Sequence, residues 1–205
     1  MKISSNFALF YGILLGDGCL FRYENARYIC VTCDLHSDKP MFSKLLPIIE
    51  KIRGKPVKVR ERTKEGKIEI QFSDKELFQK IANHGFPIGK KGTDLIISDQ
   101  MLPFYKKIIQ GYFATDGCLV ITNNNGILYP RIEFSSISKK LLNQVNCFLI
   151  KEGINSKVYL SKTYQNSWND LYRIQINGKK QLKLFKKVIG FFNPKHESRS
   201  KLFLK

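Results

Sequence analysis

Apolar and polar positions follow two periods along this chain, in a fixed order that runs through twice. Residues 5–17, "SNFALFYGILLGD", have the all-round apolar content of a buried helix and end in Asp-Gly. Two alternating runs follow, at 19–23 and 27–34, which predict strands. Then comes an amphipathic helix, "KPMFSKLLPIIEKIRG", with Gly54 as its C-terminal stop. Two further strands, "PVKVRER" and "KIEIQFS", and a closing helix, "DKELFQKIANHG", complete the unit. The same order returns: a helix over 104–116, strands at 118–123 and 127–135, the helix "SKKLLNQVNCFLIKEG", the strands "SKVYLSK" and "LYRIQIN", and the helix "KKQLKLFKKVIGFF".

The repetition has a measurable offset. Asp17 and Asp116 lie 99 residues apart, and the same offset carries Gly12 to Gly111, Gly18 to Gly117, Cys19 to Cys118, Leu20 to Leu119 and Gly54 to Gly153. A period that long marks a duplicated subdomain rather than a solenoid. The predicted fold class is therefore α+β: two pseudo-symmetric copies of an αββαββα unit with antiparallel sheets. The expected division is 1–85 for the first copy, 86–103 for a linker with Pro at both ends and no clean period, and 104–205 for the second copy.

Alternation sorts each strand into two faces. Ile68, Ile70 and Phe72 share one face of their strand, while Lys67, Glu69, Gln71 and Ser73 share the other. Val57 and Val59 oppose Lys58, Arg60 and Arg62; Ile132 and Phe134 oppose Arg131 and Glu133; Ile174 and Ile176 oppose Arg173 and Gln175. Each copy is thus expected to bury one sheet face and leave the other basic and amide-rich. An ordinary solvated face accounts for any one strand. The charge changes the weighting: 35 Lys and Arg against 17 Asp and Glu give +18, and residues 118–205 alone carry +12. Such a surplus fits a polyanion, nucleic acid before membrane. Arg22, Arg27, Lys58, Arg60, Arg62, Lys67, Gln71, Arg131, Lys157, Lys162, Arg173 and Gln175 are the candidate contacts to phosphates and base edges.

Several other classes recede. No apolar run reaches the roughly 18–20 residues of a membrane span. The apolar N-terminal stretch ends in Gly-Asp-Gly, without a small-residue cleavage site, and it recurs internally, so it reads as mature structure. Five cysteines and no secretory signal point to reduced thiols inside a cell, either in a prokaryotic cytoplasm or within an organelle. The Cys30–Cys33 pair lies in a strand, where i and i+3 face opposite ways, and no second pair follows at zinc-site spacing. Cys19 and Cys118 read as small packing residues.

The two Asp-Gly endings carry the candidate chemistry. Gly12 and Gly16 lie four apart on one helix face, as do Gly111 and Thr115. Small residues on both faces let two helices pack backbone against backbone, which would deliver Asp17 and Asp116 side by side. An aspartate at a helix C-terminus is disfavoured by a few tenths to ~1 kcal/mol. Two adjacent carboxylates repel further. A divalent cation makes sense of both costs, because carboxylates and helix-end carbonyls form a hard oxygen site suited to Mg²⁺. A metal between basic sheets suggests hydrolysis of a phosphodiester.

The stretches "FYGILLGDG" and "IQGYFATDG" resemble the paired motifs of the LAGLIDADG homing endonucleases, and the repeated order of elements resembles that family's single-chain members over nearly the whole chain. The resemblance implies a DNA-binding saddle made of two sheets around paired motif helices, working as a monomer on double-stranded DNA. It implies that Asp17 and Asp116, with the carbonyls of Gly16 and Thr115, hold Mg²⁺ or another divalent cation such as Mn²⁺, and that a staggered double-strand break results. It places a basic helper near the end of each copy's fourth strand. There the sequence offers Gln71 and Gln175, with Lys67, Arg173 and Lys179 nearby. A non-cleaving relative, either an intron RNA maturase or a DNA-binding regulator, is the alternative; both aspartates are present, which favours cleavage. No Cys or Ser stands at residue 1 and no His-Asn pair at the end, so the expectation is an endonuclease without splicing blocks.

Overall fold

The computed structural model describes residues 3–163 and 169–204. Helix α1 spans Ser5–Asp17 and leads into a hairpin of β1 (Gly18–Tyr23) and β2 (Ala26–Asp34). Helix α2 (Leu35–Arg53), strands β3 (Val59–Arg62) and β4 (Lys67–Ser73) and helix α3 (Lys75–Asn83) follow. The second run comprises α4 (Tyr105–Asp116), β5 (Gly117–Asn124), β6 (Ile127–Ser136), α5 (Lys139–Lys151), β7 (Lys157–Lys162), β8 (Leu171–Asn177) and α6 (Lys179–Val188). Each run makes one four-stranded antiparallel sheet, ordered β1-β2-β4-β3 and β5-β6-β8-β7.

Local chemistry explains the boundaries. Ser4, Asp34, Asp74 and Ser138 each precede a helix and accept a backbone N–H from the first turn, at 2.7–3.2 Å. The Asp34 cap starts α2 at Leu35, four residues before the Lys39 read from the pattern, and Pro40 and Pro47 lie inside it. Gly54 ends α2 with φ at 71°, a left-handed turn that suits glycine. The strand "PVKVRER" shortens to four residues at Val59–Arg62, although Val57 stays buried.

The core is one continuous layer of apolar side chains, and α1 and α4 form its centre. Here the glycines matter. A Cβ on Gly12 would lie 2.1 Å from the carbonyl oxygen of Ile108, and one on Gly111 would lie 2.1 Å from that of Leu9. The two backbones touch at these points, so any side chain would force them apart. Tyr11 and Tyr112 flank the contact fully buried, their hydroxyls donating to the carbonyls of His84 and Ser135 at 3.0 and 2.8 Å.

Two regions have more structure than their patterns suggest. Between α3 and α4, Phe86, Leu95, Ile97 and Met101 are buried. Gly89 N–H bonds the Leu20 carbonyl at 2.6 Å, and the Gln144 amide clamps both backbone groups of Ile97. After α6, a further helix α7 (Pro194–Ser200) packs on α2 of the first copy and β5 of the second. Asn193 caps it by accepting from Lys195 N–H, and Pro194 supplies the pre-set φ of a first helical residue.

Candidate functional site

The C-terminal ends of α1 and α4 meet with Gly16 against Thr115: a Cβ on Gly16 would lie 2.0 Å from Thr115 Oγ1 and 3.3 Å from Asp116 Cγ. Both aspartates are mostly buried there. Burial pushes the Asp116 carboxyl up to about 7, the Asp17 charge adds to the rise and Lys91 opposes it. Burial also raises Asp17, against a hydrogen bond from the Cys33 thiol (3.3 Å to Oδ2) and the charge of Lys91. The thiol itself is raised by its own burial, then by the neighbouring carboxylate. These shifts describe two acidic groups crowded out of water and against each other.

Lys91 is the functional side chain that the sequence pattern missed. Its ammonium donates to the carbonyls of Leu14 at 3.2 Å and Leu15 at 3.1 Å, and also to that of Gly16, all at the end of α1. Burial lowers its affinity for a proton, while Asp116 and then Asp17 raise it. Helix-end carbonyls and two carboxylates therefore already gather around one positive charge, which shows that the donor set suits a cation. Among the described residues no three His, Cys, Asp or Glu side chains cluster to hold a metal. A magnesium-like ion does not require three, since it commonly takes one or two carboxylates with water and substrate phosphate oxygens. A cavity of about 340 Å³ opens beside Asp116, bordered by Gly16, Lys91, Ser135 and Ser136. Larger hollows of about 400 and 840 Å³ lie along α3 and contain neither aspartate.

A polar clasp fixes this end of α4 from behind. Asn193 Nδ2 donates to the Ala114 carbonyl at 2.9 Å and to Asp38 Oδ1 at 2.6 Å, and Lys195 Nζ reaches the same oxygen at 2.6 Å. Asp38 belongs to α2, so the clasp ties the first copy to the chain end. His196 packs against Phe113 with its ring tilted (centroids 4.7 Å apart), and burial among cations lowers its pKa to about 3, keeping it neutral.

Strand registers sort the remaining candidates. In the first sheet, Cys19, Cys30 and Gln71 form one row across β1, β2 and β4, on the face opposite Leu20 and Ile29. Glu69 pairs with Arg60, and Lys67 with Arg62, further along the same face. Cys118, Glu133, Gln175 and Lys157 form the equivalent row in the second sheet, with Arg131 and Arg173 beside Glu133. Gln71 and Gln175 thus occupy matching positions, two strands away from the strand that leaves each aspartate. Each open face also has a buried glutamate among its cations: Arg131 and Arg173 lie 2.7 and 3.4 Å from Glu133, and Arg62 lies 3.7 Å from Glu69. Gln175 Nε2 donates to Glu133 Oε1 at 3.1 Å. Lys58 precedes β3, and Lys162 ends β7 just past a register shift. Phe21 and Tyr28, stacked 5.0 Å apart, add an aromatic patch to the first open face.

Three candidates fall elsewhere. Arg22 and Arg27 pair with each other and, by alternation, share the face of Leu20 and Ile29; Arg27 borders the hollow along α3. Lys179 opens α6, because Gly178 (φ 90°) turns the chain away after β8; its ammonium lies 5.8 Å from the Phe203 ring and not with the aspartates. Among the described residues no helix is long and apolar enough to cross a membrane.

Comparison with known proteins agrees with this architecture. Residues 103–190 match the family described as the LAGLIDADG-like domain. A curated relative, a probable translation initiation factor IF-2 of Methanocaldococcus jannaschii, is 27% identical over 214 residues. That alignment covers 97% of this chain but only 16% of the relative, so the chain spans a small part of that protein. Among solved structures, I-DmoI in complex with DNA and Mn superposes with a TM-score of 0.63 at 17% identity, covering 92% of this chain and 98% of that one. The I-SmaMI LAGLIDADG homing endonuclease bound to cleaved DNA superposes with a TM-score of 0.65 at 9% identity, covering 99% and 89%. Residues 103–190 are thus similar to the LAGLIDADG-like domain, and the chain as a whole has the fold of the LAGLIDADG homing endonucleases of known structure.

Proposed function

We propose that the chain is a site-specific endonuclease that makes a staggered double-strand break in a long DNA target, acting as a monomer with Mg²⁺ or Mn²⁺. The observation that carries the reading is the meeting of Asp17, Asp116 and Lys91 at the touching ends of α1 and α4. Two carboxylates that burial raises, Asp116 further by the charge of Asp17, on helices with no other need for them, suit a divalent cation bound together with a phosphate. The solved relatives support this choice of partner, one having been obtained with DNA and Mn and another with cleaved DNA.

In this reading the open sheet faces lie along the duplex. Lys58, Arg60, Arg62 and Lys67 of the first copy, with Arg131, Lys157, Lys162 and Arg173 of the second, neutralise phosphates, while Gln71 and Gln175 reach base edges. The close packing of α1 on α4 fixes the distance between the two aspartates, so one strand is cut near each. Asp17 and Asp116 are the residues that would hold the divalent cation, which would supply activation of a water and charge compensation at the leaving 3′ oxygen. Lys91 takes the basic-helper role for which the sequence offered Gln71 and Gln175, with Lys67, Arg173 and Lys179 nearby, holding positive charge at the carboxylates. Expected division of the chain into 1–85 and 104–205 copies gives each half-site one aspartate.

The test is cleavage of a DNA library with and without Mg²⁺. Cutting that requires the ion and disappears in Asp17→Asn and Asp116→Asn is the expected result. The proposal fails if both variants still cut, or if the wild type binds DNA but cuts nothing with any divalent ion. The second of these outcomes would favour the DNA-binding regulator.

A further inference from the structure

We infer that Cys19 and Cys30 form a dithiol that a low-molecular-weight disulfide closes to a cross-strand bond, and that closure slows DNA cleavage. The two residues are direct partners in the β1–β2 ladder, on the open face, and the Cys30 thiol is hydrogen-bonded to Cys19. Both are free thiols. Facing residues of an antiparallel pair have Cα atoms about 4.5 or 5.5 Å apart, and either spacing lies within the roughly 4.4–6.8 Å that a disulfide spans. Cys19 is partly exposed and Cys30 is buried, so the first attack falls to Cys19. Thr32 Oγ1, two residues along the same face of β2, lies 3.4 Å from the Cys30 sulfur and steadies it.

The chemistry balances with oxidised glutathione as the oxidant. The Cys19 sulfur attacks the glutathione disulfide, and one glutathione leaves as a thiol. The Cys30 sulfur then attacks the mixed disulfide, and the second glutathione leaves. The protein loses two hydrogens and one disulfide is reduced to two thiols. The second copy has an internal comparison: Cys118 faces Glu133, so it has no partner for closure.

Closure has a mechanical consequence, which rests on the nuclease reading above. Facing Cβ atoms lie about 4.5–5.5 Å apart, and a disulfide draws them to about 3.8 Å. Strand β1 leaves Asp17 with no slack, because Gly18 N–H bonds the Leu14 carbonyl and a Cβ on Gly18 would lie 2.4 Å from Leu14 Cα. A pull of about 1 Å therefore passes to Asp17, and a misplacement of that size at a reacting centre costs about 100-fold in rate.

The experiment incubates the full chain with oxidised glutathione and maps its cysteines by mass spectrometry without reduction. The expected product links Cys19 to Cys30, whereas Cys30→Ser stops at a glutathione adduct on Cys19. Glutathione adducts on Cys118 and Cys147 with no Cys19–Cys30 link would overturn the site. Cleavage by the linked form is expected to fall by about 100-fold and to return on reduction. Unchanged cleavage by the linked form would overturn the coupling. If the reduced protein cuts no DNA, the nuclease reading fails and with it the coupling, while the mass map still decides the dithiol.

Discussion

Replacing Asp116 by asparagine should stabilise the metal-free protein at alkaline pH while abolishing cleavage. In the wild type the Asp116 carboxyl is pushed from 3.8 up to about 7, first by burial and then by Asp17. Its contribution to stability is fully present below about pH 4 and is lost as pH rises through about 7, because the folded protein holds a proton that the unfolded chain has released. Above that pH the folded state bears the whole cost, at most about 4 kcal/mol at 1.36 kcal/mol per unit. For a protein of this size that corresponds to roughly 10 °C in melting temperature. Asp116→Asn removes the charge at almost constant volume. Thermal unfolding of both proteins in chelator should show a gain of several degrees for the variant near pH 8 and almost none near pH 4. Saturating Ca²⁺ should narrow the gap at pH 8, since the ion neutralises the wild-type pair and stabilises by mass action. Equal gains at both pH values, or a loss at pH 8, would refute the argument that these carboxylates are held together against their own repulsion.

Other consequences follow from the same geometry. Gly111→Ala places a methyl 2.1 Å from the Leu9 carbonyl oxygen, against backbone that cannot yield, so the loss should exceed about 3 kcal/mol in denaturant unfolding. Lys91→Met removes the charge that holds the Asp116 pKa down, so carboxyl NMR should show Asp116 titrating above pH 7 in the variant. Lys195→Met leaves the buried Asp38 short of its cation and should cost roughly 3 kcal/mol, read from the same unfolding curves. DNA binding should weaken on the order of 10³-fold between 50 and 200 mM salt if six or more phosphates are neutralised; a flat response would exclude the basic faces as the contact surface.

How much of this was legible depended on whether a position is set by period or by docking. The order helix, two strands, helix, two strands, helix was readable because side chains alternate along strands and repeat on helix faces. The approach of α1 to α4 was readable because only small residues permit it, and they recur at the same offset. Lys91 was not readable: its place is fixed by Gly89 bonding the Leu20 carbonyl, a contact between segments nearly seventy residues apart that leaves no periodic trace. Lys179 is close to the fourth strand in sequence only: Gly178 turns the chain into α6, which carries its ammonium to the Phe203 ring. The Cys19–Cys30 partnership needed the hairpin register, and that was available in principle. Tyr23 pairs with Ala26 across the two-residue turn Glu24–Asn25, and Glu24 takes φ 51°.

The copies repeat their motif letters, yet the two aspartates are not chemically equivalent, and the cause lies outside the motif. Cys33 donates to Asp17 from β2. Counting along the registers, the position of Cys33 in the second copy is Ser136, whose hydroxyl instead accepts from Ser138 N–H. Asp116 therefore lacks the donor that offsets burial at Asp17, and it bears the larger share of the repulsion. Both helices share the same ending, and the one residue that differs at this place, Cys33 against Ser136, sets how easily each carboxylate gives up its proton. Cys33→Ala should consequently bring the two titrations closer together by removing the donor and raising Asp17, whereas Ser136→Cys should lower Asp116 if the thiol reaches its carboxylate. Carboxyl NMR across the pH range distinguishes these outcomes from an unmoved pair, which would mean that burial alone sets both values.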